Sequence, residues 1–387
     1  MKITVINRSD SSAVRCPLRI TILQGAFFPV PPVRGGAVEK LWYGLAEAFA
    51  GAGHLVTHLS RAVPELPATE VRSGVKHLRV AGYDQPPGTL ALKWRDLLYT
   101  RRALAAAPAA DILVTNTFWA PLLARSAQGA IYVSVERGPK GQMRLYGRAA
   151  RLRACSQTVA DAIAAEAPKL SARVRVIPNP LPFAPNEPVP PRTDLAKFLF
   201  VGRIHPAKGV ELLLQAFTQA KHSGALPPEA SLDLVGPADS AQGGGGEGWW
   251  RGVLARHARA DINWAGPVYD PERLNAIYRA ASVFVYPSLD GKGEAMPIAP
   301  LEAMAWGCIP VVSNLACFRD YLSSGSNGFV FDHEAPDRGE RLAAALALAT
   351  GAKAQALRPA VAQVRQSHAM EPIAARFIED FYSLTKG

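Results

Sequence analysis

Two glutamates, Glu294 and Glu302, are separated by seven intervening residues in the segment YPSLDGKGEAMPIAPLEAMAWGCIPVV at 286–312. Pro297 and Pro300 stand between them and forbid a continuous helix through the interval, so we expect Glu294 in a loop and Glu302 in the first turn of the following helix. A loop carboxylate can accept hydrogen bonds from sugar hydroxyls, and a carboxylate in a first turn can hold a diol or cap its own helix. The free amides at that helix start would form an anion site.

A second candidate site is the segment VGRIHPAKG at 201–209, which supplies Arg203 and Lys208. The guanidinium of Arg203 matches the geometry of phosphate oxygens, and the ammonium of Lys208 is a compact point charge. Gly209 allows the chain to turn into a helix. Alone, such a pair would usually be surface residues flanking a turn. Beside the glutamate segment, we interpret it as a site for an anion such as a diphosphate.

Short β-branched runs alternate with helical patterns along the whole chain, which is typical of parallel βα units. We predict strands at 20–23, 55–59, 111–115, 131–135 and 174–177, and then at 198–201, 232–235, 283–286, 309–312 and 328–331. The Pro-rich segment 178–191 between the two sets is interpreted as a linker. Two open α/β domains joined in this way leave a cleft, and ligands bind at the carboxyl ends of their strands.

Helical periodicity follows glycine in both halves. Apolar residues recur at helical spacing in two segments, at Val38, Leu41, Trp42, Leu45 and Phe49, and at Val210, Leu213, Leu214 and Phe217. We therefore assign residues 1–180 to a first domain and 190–369 to a second. The amphipathic segment 370–387 is predicted to be a last helix that packs back on the first domain.

With these segments, the sequence resembles the retaining glycosyltransferases of family 4. The shared segments are GGA at 35–37, VIPN at 176–179, VGRIHPAKG at 201–209 and the glutamate segment, and the resemblance extends from about residue 18 to nearly the end. It implies an α/β protein of the GT-B fold, in which two Rossmann-like, doubly wound parallel-sheet domains face each other across a cleft. It also implies a nucleotide diphosphate sugar as donor and no metal. The sequence has no DxD pair to bridge a metal to a diphosphate, and we expect no cofactor beyond the donor substrate.

The resemblance also implies roles for individual residues. Arg203 and Lys208 would hold the donor diphosphate, Glu294 the transferred sugar and Glu302 the ribose. The remaining donor-binding candidates are Gly35 and Gly36, near the phosphate and reacting centre, and Met296, Pro297 and Ile298 beside Glu294.

The chain departs from the family where the strand predicted at 131–135 ends. Family members often carry a His there, which helps to position the reacting sugar, whereas this chain continues with Glu136 and Arg137. Arg137 could bind the leaving phosphate, and Glu136 could orient an acceptor hydroxyl. Either could also be a surface loop residue. The catalytic candidates are therefore Glu294, Glu136 and Arg137.

Charge is distributed unevenly over the 387 residues, whose formal net charge is +11. Residues 1–190 hold 24 Lys and Arg against 12 Asp and Glu, whereas the remainder holds 19 against 20. Within the first half, 137–153 contains six cations. This basic stretch is either a solvated helix face or a surface for a polyanion, namely nucleic acid, anionic lipid or a phosphorylated acceptor. We set nucleic acid aside because no recognised nucleic-acid module accompanies the stretch.

Other composition features narrow the class of protein. The four cysteines are too widely spaced for a zinc site or a disulfide framework. No segment reads as a signal peptide or as a membrane span. We expect a cytoplasmic protein, at the inner face of the membrane if the basic half contacts lipid.

The leading hypothesis is a retaining hexosyltransferase that uses a nucleotide diphosphate sugar and modifies a hydroxyl of a cell-envelope glycan or lipid-linked acceptor, as in polysaccharide or lipopolysaccharide synthesis. Two alternatives remain open. One is a nucleotide-sugar epimerase of the same fold. The other is a non-catalytic protein that binds a nucleotide sugar or a polyanion.

Overall fold

The computed structural model describes residues 15–34, 36–86, 88–184, 187–189, 196–291 and 293–385. These residues form two parallel sheets, each with helices packed on it. Gly35, residues 1–14 and 386–387, and positions 185, 186, 190 and 191 of the predicted linker lie outside the described residues.

The first sheet has eight strands in the order β3-β4-β2-β1-β5-β6-β7-β8. All neighbours are parallel except β3 and β4, which form an antiparallel hairpin at the edge. The strands are β1 Arg19–Leu23, β2 Leu55–Ala62, β3 Thr69–Arg72, β4 Val75–Ala81, β5 Ile112–Thr115, β6 Ala130–Val135, β7 Arg151–Ala154 and β8 Val174–Val176. The helices of this half are α1 Ala37–Gly51, α2 Thr89–Ala106, α3 Ala120–Leu123 and α4 Gln157–Glu166.

The second sheet has six strands, all parallel, in the order β11-β10-β9-β12-β13-β14. Its strands are β9 Lys197–Val201, β10 Ser231–Val235, β11 Ile262–Trp264, β12 Val283–Tyr286, β13 Ile309–Ser313 and β14 Phe329–Phe331. The helices are α5 Val210–His222, α6 Glu247–Arg256, α7 Pro271–Ala280, α8 Ile298–Ala305, α9 Arg338–Thr350, α10 Ala352–Val361 and α11 Val364–Ser367. The central strands β9, β12 and β13 are buried on both faces, as expected for a parallel sheet covered by helices.

The last helix, α12 Met370–Thr385, returns to the first sheet and packs against α1. Phe377 and Phe381 lie edge-on against the aromatic rings of Trp42, Phe49 and Tyr132. Such tilted and edge-to-face ring pairs stabilise the fold by more than the burial of their apolar area alone. One face of the first sheet is therefore closed by the end of the chain.

All ten predicted strands are confirmed, and four strands were not predicted. The hairpin of β3 and β4 turns at Ser73 and Gly74, both at positive φ. Its two strands contain many polar residues and are only partly buried, so they lack the apolar run by which the other strands are predicted. β11 has only three residues. β7 has the sequence RLRA, which we interpreted as part of the basic stretch, yet all four of its residues are buried.

Candidate active site

The centre of the candidate site is a buried ion pair between Lys208 and Glu294. Lys208 ends a short 3-10 turn, and Gly209 follows it at φ +67°. A Cβ at Gly209 would lie 2.0 Å from the carbonyl oxygen of Pro287, so only glycine allows this close approach. The ammonium of Lys208 donates to Oε1 of Glu294, and the hydroxyl of Ser288 donates to the same oxygen at 2.8 Å. The two predicted donor-site segments thus meet directly.

Arg203 lies beside this pair because β9 and β12 are neighbours in the sheet. β9 ends two residues before Arg203, and β12 ends at Tyr286, whose ring centroid lies 5.4 Å from Nζ of Lys208. Burial and the nearby Glu294 carboxylate raise the pKa of Tyr286 well above its ordinary value, and the charge of Arg203 opposes the shift. Arg203 is exposed and donates to the carbonyl oxygen of Gly243 at 3.0 Å. The carboxyl edge of the second sheet therefore presents two cations and a carboxylate.

Glu302 lies in the second turn of α8, which corrects the prediction of a first-turn position. The helix starts at Ile298, and Pro300 sits within its first turn, where no backbone N–H is needed. Glu302 is nine-tenths buried, and Tyr278 donates to its Oε2 at 2.8 Å. Burial raises the pKa of the Glu302 carboxyl, whereas the charge of Lys40 and the Tyr278 hydrogen bond lower it. Since Lys40 belongs to α1, the two domains are electrostatically coupled here.

The loop between Glu294 and α8 is fixed by contacts to both domains. Met296 is buried, and its sulfur accepts a hydrogen bond from the backbone N–H of Asn179 at 3.1 Å. Pro297 precedes the helix, and its carbonyl oxygen accepts a hydrogen bond from the hydroxyl of Tyr321 at 3.4 Å. Ile298 is the first helical residue. These three predicted donor-site residues therefore position the loop and the start of α8.

On the first-domain side, Gly36 is the N-cap of α1 at φ +103°. This backbone conformation is one that side-chain-bearing residues rarely adopt, so the position favours glycine. Glu39 is buried, and burial raises its carboxyl pKa, while its own backbone N–H and the charge of Arg137 lower it. The Glu39 carboxylate thus occupies the amide-rich start of α1. The other predicted glycine, Gly35, is outside the described residues.

Glu136 is held in place by buried polar partners. Its Oε1 accepts from the guanidinium of Arg153 at 2.7 Å and from the hydroxyl of Ser134 at 2.6 Å. Arg153 also donates to the side-chain oxygen of Asn179 at 2.6 Å. Since the Asn179 backbone contacts Met296, a continuous chain of contacts runs from Glu136 to the Glu294 loop. Arg137, by contrast, is exposed.

The basic stretch at 137–153 is only partly a surface. Arg153 is fully buried, and Arg151 is buried in an ion pair of 2.9 Å with Asp380 of α12. These two cations serve the packing of α12 on β7 and cannot meet a polyanion. Arg144 and Arg148 are exposed and donate to backbone carbonyl oxygens.

Several residues of the site were missed in the sequence. Ser288 and Asn179 stand in the segments that carry the family resemblance, so their position was a usable signal. No sequence signal indicated Tyr278 or Arg153, because the residues that they contact are distant in sequence. Across the described ranges, no group of three or more His, Cys, Asp or Glu side chains could hold a metal ion. In the same ranges, no helix is both long enough and apolar enough to cross a membrane.

Comparison with known families places the matching segment in the second half of the chain. Residues 186–357 match the family model described as glycosyl transferases group 1. A phosphatidyl-myo-inositol mannosyltransferase from Mycobacterium tuberculosis is 34% identical over 140 residues, which is 36% of this chain and 33% of that protein. A lipopolysaccharide 1,2-N-acetylglucosaminetransferase from Salmonella typhimurium is 30% identical over 138 residues, 35% of each chain. The matched segment spans about a third of the length of these relatives.

Solved structures match over nearly the whole chain. Sucrose-phosphate synthase from Thermosynechococcus elongatus has a TM-score of 0.76 at 20% identity, covering 95% of this chain and 99% of that one. The Anabaena protein HepE in complex with UDP and glucose has a TM-score of 0.68 at 17% identity, covering 95% and 100%. The chain therefore has the GT-B fold, and its residues 186–357 carry the sequence pattern of the group 1 glycosyltransferases.

Proposed function

We propose that this protein is a retaining glycosyltransferase of family 4 that transfers a hexose from a nucleotide diphosphate sugar to a hydroxyl of a cell-envelope glycan or lipid-linked acceptor. The observation that carries the proposal is the buried Lys208–Glu294 pair beside Arg203, at the carboxyl edge of the second sheet. The names of the relatives, which refer to a phosphatidylinositol and a lipopolysaccharide, support an envelope acceptor. We place the protein in the cytoplasm, in peripheral contact with the inner face of the membrane.

In this proposal the second domain binds the donor. Arg203 and Lys208 receive the diphosphate, and Lys208 turns from Glu294 to a phosphate oxygen as the donor enters. Glu294 then accepts a hydrogen bond from a hydroxyl of the transferred sugar. Before the donor binds, the ion pair leaves neither charge unpaired in a buried pocket, which would be costly. Glu302, fixed through Oε2 by Tyr278, uses Oε1 for a ribose hydroxyl.

Transfer breaks the bond between the sugar C1 and the diphosphate oxygen and forms a bond from C1 to the acceptor oxygen. The acceptor proton passes to the departing diphosphate. Negative charge grows on the diphosphate during this step, so fixed cations stabilise the transition state more than the ground state. Glu136, held by Arg153, is assigned to orient the acceptor hydroxyl, and exposed Arg137 to approach the leaving phosphate. Closure of the cleft would exclude water and limit hydrolysis of the donor.

The donor is identified by thermal unfolding with UDP-, GDP- and ADP-sugars, because a ligand that binds only the folded state raises its stability. We expect one nucleotide class to raise the unfolding temperature, and the same class to support transfer in the presence of EDTA. If no nucleotide sugar raises the unfolding temperature, the donor site is wrong. Loss of transfer with EDTA would contradict the metal-free assignment.

A further inference from the structure

Apolar side chains that the core does not use cluster on one face of the first domain. Leu90 and Trp94 of α2 are 86% and 61% exposed, and their i,i+4 spacing places them on the same side of the helix. Leu145, at the end of the 3-10 helix Gln142–Leu145, is 54% exposed. We call the surface formed by Leu90, Lys93, Trp94, Arg144, Leu145 and Arg148 the docking face.

Contacts through the loop after β5 join the two parts of the docking face. The indole N–H of Trp119 donates to the carbonyl oxygen of Lys93 at 2.9 Å. The ammonium of Lys93 lies 5.0 Å from the ring centroid of Phe118, and the hydroxyl of Tyr146 donates to the Phe118 carbonyl oxygen at 3.2 Å. Lys93 adjoins Trp94, and Tyr146 adjoins Leu145. The exposed residues of α2 and those around Leu145 therefore flank the same loop after β5.

The charge of the docking face is positive. Lys93, Arg144 and Arg148 are exposed, and both arginines donate to backbone carbonyl oxygens, which fix their position without neutralising their charge. The nearest acid of α2, Asp96, points into the core. The Glu166 side chain accepts from the backbone amides of Gly141 and Met143 rather than from these cations.

The docking face adjoins the acceptor side of the cleft. β4 ends at Ala81 and α2 begins at Thr89, so the first turns of α2 lie at the carboxyl edge of the sheet. The loops at 116–119 and 136–145 follow β5 and β6 at the same edge, and the second of them begins with Glu136.

We infer that the docking face binds reversibly to an anionic lipid bilayer. Leu90, Trp94 and Leu145 would enter the interfacial region, where the amphipathic indole of Trp is favoured. The cations would meet the headgroups, where an anionic surface attracts Lys and Arg side chains. A membrane fits better than a nucleic acid because the exposed residues include three large apolar side chains. The inference rests on the proposed function in one respect: it assigns the acceptor to the membrane surface.

The test is flotation of the full-length protein with phosphatidylglycerol-containing vesicles and with pure phosphatidylcholine vesicles. We expect binding to the anionic vesicles only, weakened by salt. The double variant Leu90→Ser/Trp94→Ser should lower the association constant for anionic vesicles by at least about tenfold, because it removes the apolar contacts. The double variant Lys93→Glu/Arg144→Glu should lower it by a similar factor, because it replaces attraction to the headgroups with repulsion. Leu55→Ser and Val71→Ser are matched controls, because these residues are 65% and 73% exposed away from the docking face. Arg251→Glu, in an exposed pair of the second domain, is the charge control.

Vesicle binding that the docking-face variants leave unchanged, or that the controls weaken equally, would overturn the inference. So would absence of vesicle binding combined with salt-sensitive binding to RNA. Donor-induced thermal stabilisation is measured on the same variants and should be unaffected. A different result would separate the two proposals. If no nucleotide sugar stabilises the wild type or any variant, but only the docking-face substitutions weaken vesicle binding, the proposed function is wrong and the membrane inference is supported.

Discussion

Replacing Lys208 by Met should destabilise the protein strongly, because it leaves the Glu294 carboxylate buried without its counter-charge. The two side chains are 9% and 6% exposed. Removing one partner of a pair this buried costs about 3–5 kcal/mol, whereas an exposed pair is worth about 0–1 kcal/mol. Ser288 still donates to Glu294 in the variant, which places the expected loss near the lower end of that range.

The double variant Lys208→Met/Glu294→Gln separates stability from chemistry. It removes both charges, and replacing a buried pair by neutral groups is often close to neutral for stability. Urea unfolding should therefore show the double variant within about 1 kcal/mol of the wild type and both single variants well below it. Sugar transfer should be lost in all three.

Two results would refute this reasoning. A free energy of unfolding for Lys208→Met within about 1 kcal/mol of the wild type would show that the pair is not a buried ion pair. Sugar transfer by the double variant would show that neither residue handles the donor. Arg251→Met is the matched control, since its pair with Glu247 is exposed and should be worth no more than about 0.5 kcal/mol.

Three further predictions follow from other buried groups. Burial raises the pKa of Asp96 to about 6, so its contribution to stability is present at low pH and lost as pH rises; Asp96→Asn should raise the unfolding free energy by about 2–3 kcal/mol near pH 8 and by little near pH 4, and an equal gain at both would contradict this. The pKa of His77 is lowered to about 4, chiefly by burial, so stability is lost as pH falls from about 6.5 to 4. The variant His77→Gln should lower the slope of the unfolding free energy against pH by about 1.4 kcal/mol per pH unit over this range, measured by urea unfolding at several pH values. A slope equal to that of the wild type would contradict a buried neutral imidazole at His77. Tyr278→Phe removes the hydrogen bond to Glu302 and should weaken donor binding in calorimetry by about tenfold, a cost typical of a bond to a charged group; unchanged affinity would remove Glu302 from the donor site.

The fold was predictable because its strands carry an unambiguous pattern. Strands such as β9 and β12 are apolar on both faces, and α1 and α5 begin directly after glycines that the backbone requires. β7 was not predictable, because buried arginines look like a solvated basic run until their partners are known. Those partners, Glu136 for Arg153 and Asp380 for Arg151, come from other parts of the chain.

The candidate site was predictable in its residue types and not in its pairings. Nothing in the sequence indicates that Lys208 binds Glu294, 86 residues away, or that Tyr278 holds Glu302. The predicted first-turn position of Glu302 is wrong because the first turn of a helix tolerates proline, so α8 starts before Pro300 rather than after it. For Glu136 the sequence leaves two interpretations open, a residue that orients an acceptor hydroxyl or a surface loop residue; its side chain is fixed by a buried arginine, which the sequence does not indicate.

The most direct test of the proposed function is a transfer reaction analysed by proton NMR. The protein is incubated with the nucleotide sugar that stabilises it and with an envelope lipid and glycan extract. We predict a new glycosidic bond on an acceptor hydroxyl, with the anomeric configuration of the donor kept and the nucleoside diphosphate released. Two results would contradict the proposal. One is a nucleotide sugar epimerised at one carbon with no modified acceptor, and the other is donor binding without any turnover.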